Sequence, residues 1–158
     1  MYPTSSQDLN KETEEGVYFF TPAFYPLDNY SAHQVEIWGK KFATVEHAYQ
    51  WKKFVATKPD IAEKIFLANS PEAAKKIADD NKSFQPDSWQ EEKVGAMEQI
   101  LTAKAEQHED VQDALKRSGK RQIHENSPVD EFWGLGASGK GKSMVGKIWM
   151  KIRDSEKN

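Results

Sequence analysis

Two spacings of apolar residues divide the chain. Near the N-terminus the pattern is that of strands. Val17-Tyr18-Phe19-Phe20 reads as a short strand, and Gln34-Val-Glu-Ile-Trp38, followed by Gly39-Lys40 and Lys41-Phe42, reads as a small hairpin, because alternating positions flank a glycine-bearing turn. From Thr44 onward the apolar residues recur at three and four, the helical period. Thr44 is the predicted N-cap of a helix from Val45 to Ala56. Lys58-Pro59 stops that helix, and Pro59 suits the first turn of the next, which runs to about Ala68. Ser70-Pro71 repeats the cap-then-proline signal for a helix from Glu72 to about Asp80.

The longest helical segment begins at Asp87 or Ser88, with Gln90 placed as in a capping box. Trp89, Val94, Met97, Ile100, Leu101, Ala105 and His108 form its apolar stripe. A helix from Asp110 to Arg117 ends at Gly119, which tolerates the positive φ of a C′ position. Arg121 to His124 adds a strand, and a glycine-rich loop leads to a last helix from Met144 to Arg153, capped by Ser143. About six helices and three or four short strands do not supply the repeated crossovers of a doubly wound parallel sheet. The expected fold is α+β: a mostly helical single domain, residues 17–153, with a small antiparallel sheet. Residues 1–16 are expected to form a disordered polar tail and residues 154–158 a C-terminal tail, and no internal repeat is visible.

Composition agrees with one folded domain. The 158 residues are only 37% hydrophobic, but 5 Trp, 5 Tyr and 8 Phe provide large burial units that disordered chains lack. The absence of cysteine excludes a disulfide scaffold, a thiolate metal site and a cysteine nucleophile. No window approaches 18 apolar residues and the N-terminal residues carry no leader pattern, so the expectation is a cytoplasmic or nuclear protein without a membrane partner. The net charge of −3 argues against coating nucleic acid by bulk electrostatics. The charge is uneven: residues 1–16 carry −3, whereas Lys116 to Arg153 carry nine basic and three acidic residues. An anionic ligand is therefore drawn to the C-terminal part.

Three clusters can carry chemistry. Gly136-Ala-Ser-Gly-Lys-Gly-Lys-Ser143 matches the pattern of a nucleotide phosphate loop, but no buried strand precedes it and only fifteen residues follow. An NTPase is therefore disfavoured. A phosphate cradle built on Gly139, Gly141, Lys142 and Ser143 at a helix N-terminus remains, alongside a solvated loop with a serine cap. In the second cluster Glu46, Tyr49, Gln50 and Lys53 fall at i, i+3, i+4 and i+7, on one helical face. That stripe is either solvated or a general acid/base beside an amine nucleophile. The third cluster, Glu125 to Gly134, sets Asp130 beside Trp133 and Gly134. It is either a glycosyl-type site, with carboxylate, indole face and close backbone approach, or an Asx turn over a core tryptophan. His33, His47, His108 and His124 have no metal-ligand spacing, so neither a metal nor a cofactor is expected.

In chain order, Phe24-Tyr-Pro-Leu-Asp-Asn-Tyr-Ser31, Gly39-x-x-Phe42-x-Thr-Val-Glu-His-Ala-Tyr-Gln-x-x-Lys-Phe54, Ala68-x-Ser-Pro-x-x-Ala-Lys75 and Trp89-x-x-x-Lys93-x-x-x-Met97 form one half of a pattern. Leu101-x-Ala-Lys104-x-x-Gln-His108, Glu125-x-Ser-Pro-x-Asp130-x-x-Trp-Gly134-x-Gly136, Gly139-x-Gly141 and Gly146-x-x-Trp-Met150-x-x-Arg153 complete it. Together they resemble the NADAR, or YbiA-like, family over about residues 17–153. The resemblance implies an N-glycosidase that acts on ribosylated amines, and the chain itself is expected to be a monomer. One branch removes ADP-ribose from the amino group of guanine in DNA, reversing a toxin's modification. Another releases ribose 5-phosphate from ribosylaminopyrimidine phosphates of the riboflavin pathway. A domain that holds ADP-ribose without turnover is the non-enzymatic alternative.

By resemblance Glu46 is the acid/base, Lys53 the candidate amine and Asp130 a second carboxylate or ribose ligand. Asn29 is implied to position ribose, Trp89 and Trp133 to wall the sugar or base, and the loop from Gly139 to Ser143 to hold phosphate. Lys104 and Lys142 also stand in family-like positions. The chain departs from the family in carrying Ser143 where Asn is common, Asp28-Asn29-Tyr30 where Ser-Asn-Phe is common, and no Arg shortly before Trp89. The missing Arg removes one anion contact and leaves the phosphate pattern of the substrate open.

Overall fold

The structure, a computed structural model, describes residues 12–18, 22–125, 127 and 129–155. Among these are six α-helices and four short strands. The strands form an antiparallel pair and a parallel pair. The contacts divide the chain into two compact units, one of residues 29–107 and one of the segments before and after it.

The unit of residues 29–107 holds the antiparallel pair. It opens on a hairpin of β2 (Val35–Ile37) and β3 (Lys40–Phe42), with Val35 opposite Phe42 and Ile37 opposite Lys40. The two turn residues, Trp38 and Gly39, have φ of 54° and 76°. Such a turn matches the twist of the strands but strains a bulky residue. Stacking offsets the strain, since the Trp38 ring lies 6.0 Å from that of Trp51 at an interplanar angle of 19°.

Helix α1 (Val45–Phe54) begins where expected, with the Thr44 hydroxyl accepting from His47 N–H at 3.2 Å. The His47 ring is taken up structurally, its Nδ1 2.8 Å from Thr44 Oγ1 and its Nε2 3.0 Å from Ala68 O. Helices α2 (Pro59–Phe66) and α3 (Pro71–Asp80) both start on proline, and Ser70 Oγ caps α3 by accepting from Ala73 N–H. Helix α4 (Trp89–Gln107) closes its first turn through Ser88 O. The capping box expected at Asp87 is not what Gln90 forms, since its amide oxygen accepts from Lys93 Nζ at 2.9 Å. Helix α1 packs on α2, α3 and α4. Phe42, Val45, Ala48, Phe54, Ile65, Met97, Ile100 and Leu101 form the buried core of this unit.

In the other unit, β1 (Gly16–Tyr18) pairs in parallel with β4 (Gln122–His124), placing Val17 opposite Ile123. The strand expected over residues 17–20 thus begins one residue earlier, and Phe19 and Phe20 lie outside the described residues. Helix α5 (Glu109–Ser118) ends at Gly119 with φ 62°, as the sequence suggests. Helix α6 (Met144–Ser155) extends two residues beyond the predicted end and packs on β4. Gly146 permits that approach, because a Cβ there would overlap the carbonyl of Ile123. Trp149 is fully buried and donates from Nε1 to Leu27 O at 2.9 Å.

The expected N-terminal tail of residues 1–16 is corrected at its end: Glu12 onward is part of the fold. Glu12 meets Arg121 at 2.8 Å and Arg117 at 3.2 Å, which joins the acidic start of the chain to its basic C-terminal part. Residues 1–11 lie outside the described residues. No helix among the described residues is long and apolar enough to cross a membrane.

Candidate active site

The stripe predicted on α1 is not a solvated face. Glu46, Tyr49 and Gln50 are all buried, and Lys53 is half-buried. Gln50 Nε2 donates to Glu46 Oε1 at 2.7 Å across one helical turn, fixing the carboxylate. Burial pushes the Glu46 carboxyl above its ordinary range, against the hydrogen bond from Gln50 and the charges of Lys75 and Lys53, and with the charge of Asp79. Lys53 moves the other way. Burial lowers its amine to about 8, against the attraction of Glu46 and Asp79 and with repulsion from Lys75 and Lys93. Its Nζ stands 5.4 Å from the centre of the Tyr49 ring.

An acid with a raised pKa on the same helical face as an amine with a lowered one suits proton transfer paired with nucleophilic attack near neutral pH.

Two further predicted residues join this cluster. Asn29 accepts at its backbone O from Glu46 N–H at 3.2 Å, and its Nδ2 lies 3.8 Å from Met97 Sδ. Trp89, at the start of α4, has its ring 5.3 Å from that of Tyr49. Three buried side-chain atoms here have no hydrogen-bond partner among the described residues: Asn29 Oδ1, Gln50 Oε1 and Trp89 Nε1. Buried polar atoms in folded proteins are overwhelmingly paired, so three beside Glu46 mark a place for polar partners, water or ligand.

Sequence reasoning did not reveal a second buried polar group in the same unit. Lys104, fully buried, donates to Ser31 Oγ at 2.8 Å, and Ser31 Oγ lies 2.7 Å from His33 Nδ1. The signal was present: Lys104 falls on the apolar stripe of α4, three residues after Leu101.

Asp130, Trp133, Gly134, Gly139, Gly141, Lys142 and Ser143 belong to the other unit. There the reading of the glycine-rich loop as an amide cradle for phosphate is corrected. Gly141, Lys142, Ser143, Met144 and Val145 N–H groups donate to the carbonyls of Leu135, Glu131, Gly134, Phe132 and Trp133. Gly139 N–H donates to Gly136 O, and Lys140 N–H to Ser138 Oγ. The amides are thus taken up by the chain itself. Gly134 and Gly141 are small because backbone packs on them; a Cβ on Gly141 would lie 2.6 Å from Gly134 O.

Ser143 does not cap α6 either. Its Oγ accepts from Glu125 N–H at 2.9 Å, and its φ of 46° is left-handed, which Asn tolerates better than most residues. The exposed side chains of Lys140 and Lys142 remain as the loop's cations, the Lys142 Nζ 5.6 Å from the Phe132 ring centre. Asp130 Oδ1 accepts from Phe132 N–H at 2.9 Å and from Trp133 N–H at 2.7 Å. That is the Asx turn, with Trp133 half-buried and its ring 4.7 Å from that of Phe132.

A mostly helical α+β chain with a buried, amide-held carboxylate and a lysine of lowered pKa has the equipment of an acid/base and amine catalyst. The NADAR domain pattern matches residues 10–155, and the chain belongs to the NADAR family. It is 34% identical to an N-glycosidase of Nostoc punctiforme over 134 residues, 84% of this chain and 85% of that protein. It is 28% identical to the N-glycosidase YbiA of Escherichia coli over 148 residues, 94% of this chain and 91% of that protein. A riboflavin biosynthesis protein of Vibrio vulnificus is 28% identical over 145 residues, which span 89% of this chain but 38% of that protein. The NMR structure of Escherichia coli YbiA superposes with a TM-score of 0.79 at 27% identity, covering 98% of this chain and 92% of that one. The fold is therefore YbiA-like.

Proposed function

We propose that the chain is an N-glycosidase that cleaves the bond between C1 of a phosphorylated ribose and an exocyclic amine. The observation that carries this reading is the pairing on α1 of Glu46, its pKa raised, with Lys53, its pKa lowered to about 8. A ribosyl amine opens toward an imine at C1. Uncharged Lys53 adds to that carbon, and protonated Glu46 gives its proton to the departing nitrogen, releasing the base as a free amine. A lysine–ribose Schiff base remains. Water, deprotonated by the Glu46 carboxylate, adds to C1 and expels Lys53, so the net change is addition of one water across the C–N bond. Direct attack of water through an oxocarbenium-like state is the competing route.

The substrate we favour is ADP-ribosylated guanine in DNA, which the enzyme restores to the unmodified base. With modest overall charge, recognition rests on one modified base and not on a long phosphate track, and an unpaired or flipped nucleotide is the form that enters. The riboflavin biosynthesis protein among the relatives supports a second reading, hydrolysis of ribosylaminopyrimidine phosphates. Mass spectrometry of the purified protein with each substrate separates them. Unmodified DNA plus free ADP-ribose supports the first, and ribose 5-phosphate released from the aminopyrimidine supports the second. Bound ADP-ribose without release of product from either substrate overturns both in favour of a binding domain.

A further inference from the structure

Away from the Glu46 cluster, the unit of residues 29–107 carries a row of aromatic rings edged by lysines. Trp38 stacks on Trp51 at 6.0 Å, the Trp51 ring lies 5.1 Å from that of Phe42, and Phe42 lies 5.5 Å from Phe66. Phe42 and Trp51 are buried, whereas Trp38 and Phe66, at the two ends of the row, are half-buried. A lysine stands over each end: Lys52 Nζ is 4.8 Å from the centre of the Trp38 ring and Lys40 Nζ 4.4 Å from that of Phe66. Neither lysine forms an ion pair among the described residues. From Trp38 to Lys58 the chain holds five lysines against one acid, the buried Glu46, so the hairpin turn and α1 are positive.

The turn works against its own backbone. Trp38 holds a φ of 54°, where an asparagine before Gly39 would make the same turn with less strain. Position 38 thus keeps an indole at the tip of the hairpin, and strain of this kind gathers at binding sites. A half-buried ring between two lysines suits a ligand with a flat face and negative charges beside it. A single strand of nucleic acid has both, because its bases stack on indole and its phosphates meet lysines. An acidic peptide brings the charge without the flat face.

Helix α1 joins this row to the chemistry. Lys52 and Lys53 are consecutive, hence about 100° apart around the helix, and they stand over different rings, Trp38 and Tyr49. The row therefore borders the face that carries Glu46 and Lys53.

We propose that Trp38, Lys40 and Lys52 form a docking surface for the single-stranded DNA that flanks the modified base, a neighbouring base stacking on Trp38 while the two lysines turn from the rings to phosphates. That exchange is favourable, because a cation over an exposed ring is held more weakly than a stacked base. The proposal rests on the reading of the substrate as DNA for the identity of the strand. Two lysines engage few phosphates, in keeping with recognition centred on one base.

Fluorescence anisotropy of a labelled, unmodified single strand of about ten nucleotides, with the full-length protein, tests the surface without turnover. The wild type is expected to bind it, more weakly as salt rises. Trp38→Asn should weaken binding about 10-fold yet keep the melting temperature, since relief of the turn offsets the lost stacking on Trp51. Trp38→Phe, which keeps a ring, should retain most of the affinity. Lys40→Gln and Lys52→Gln should each lower the salt slope by about 0.7. No binding by the wild type, or equally tight binding of polyglutamate, overturns the proposal. Should Trp38→Asn melt earlier, the lysine variants decide, and unchanged DNA binding in both overturns it.

Turnover separates this claim from the N-glycosidase reading. On ADP-ribosylated oligonucleotide the three variants Trp38→Asn, Lys40→Gln and Lys52→Gln should raise KM and keep kcat, while an ADP-ribosylated mononucleoside is hydrolysed alike by all. Wild-type KM in the variants overturns the surface and leaves the N-glycosidase reading intact. A wild type that binds DNA through Trp38 but hydrolyses neither substrate leaves the surface standing and removes that reading.

Discussion

Gln50 Nε2 donates to Glu46 Oε1 at 2.7 Å, so the carboxylate most deeply buried on α1 is held by the amide one turn further along the same helix. The bond favours the charged form of Glu46, yet burial outweighs it and the carboxyl is raised. A protein that held Glu46 only for stability would gain by making it neutral.

Glu46→Gln should therefore lower turnover by roughly 10²-fold or more while raising the melting temperature. The sign follows from linkage. The native state holds the Glu46 proton to a higher pH than the unfolded chain does, so its contribution to stability is full below about 4.5 and is lost as pH rises through the raised value. The advantage of the variant should grow in thermal melts as pH rises from about 4.5 through the raised value. Near-normal rates would remove Glu46 from its role.

Lys53, lowered to about 8, should give kcat/KM a rise with pH centred near that value. Lys53→Met should lose activity, and Lys53→Arg should not restore it, since guanidinium stays charged throughout. The native state sheds this proton earlier than the unfolded chain, so stability should rise with pH between about 8 and 10.5 in the wild type and flatten in Lys53→Met. An unchanged pH–rate profile in an active Lys53→Met variant would exclude the amine.

Asp130 holds its turn through Oδ1. Asp130→Asn, which keeps that acceptor, should retain activity within about threefold, whereas Asp130→Ala should lose about 1 kcal/mol of stability in urea titrations, as for a lost helix cap. A large loss of kcat in Asp130→Asn with unchanged stability would return Asp130 to a catalytic role as a second carboxylate.

Gly146→Ala forces a methyl into the carbonyl of Ile123 and should destabilise by about 1–3 kcal/mol. Equilibrium denaturation measures this directly, and a neutral result would contradict the close packing of α6 on β4.

These residues also mark what could be read from sequence. Thr44, Pro59, Ser70-Pro71 and Gly119 announced helix boundaries because capping and proline geometry are local, and the structure places the ends of α1, α2, α3 and α5 close to them. The 3–4–7 spacing put Glu46, Tyr49, Gln50 and Lys53 on one face, but spacing does not say whether a face is buried. The glycine-rich loop misled for a related reason. Its letters match a phosphate cradle, while the destination of its amides, the carbonyls of residues 131–135, is a matter of chain path. Lys104 stood in a family-like position, but its partner Ser31, 73 residues earlier in the chain, is set by the fold and not by local spacing.

Borohydride trapping during turnover tests the central claim most directly. With ADP-ribosylated guanine oligonucleotide as substrate, reduction should leave a sugar adduct on the peptide carrying Lys53 and on no other lysine peptide. Confirmed release of unmodified DNA with no adduct on Lys53 would contradict the account.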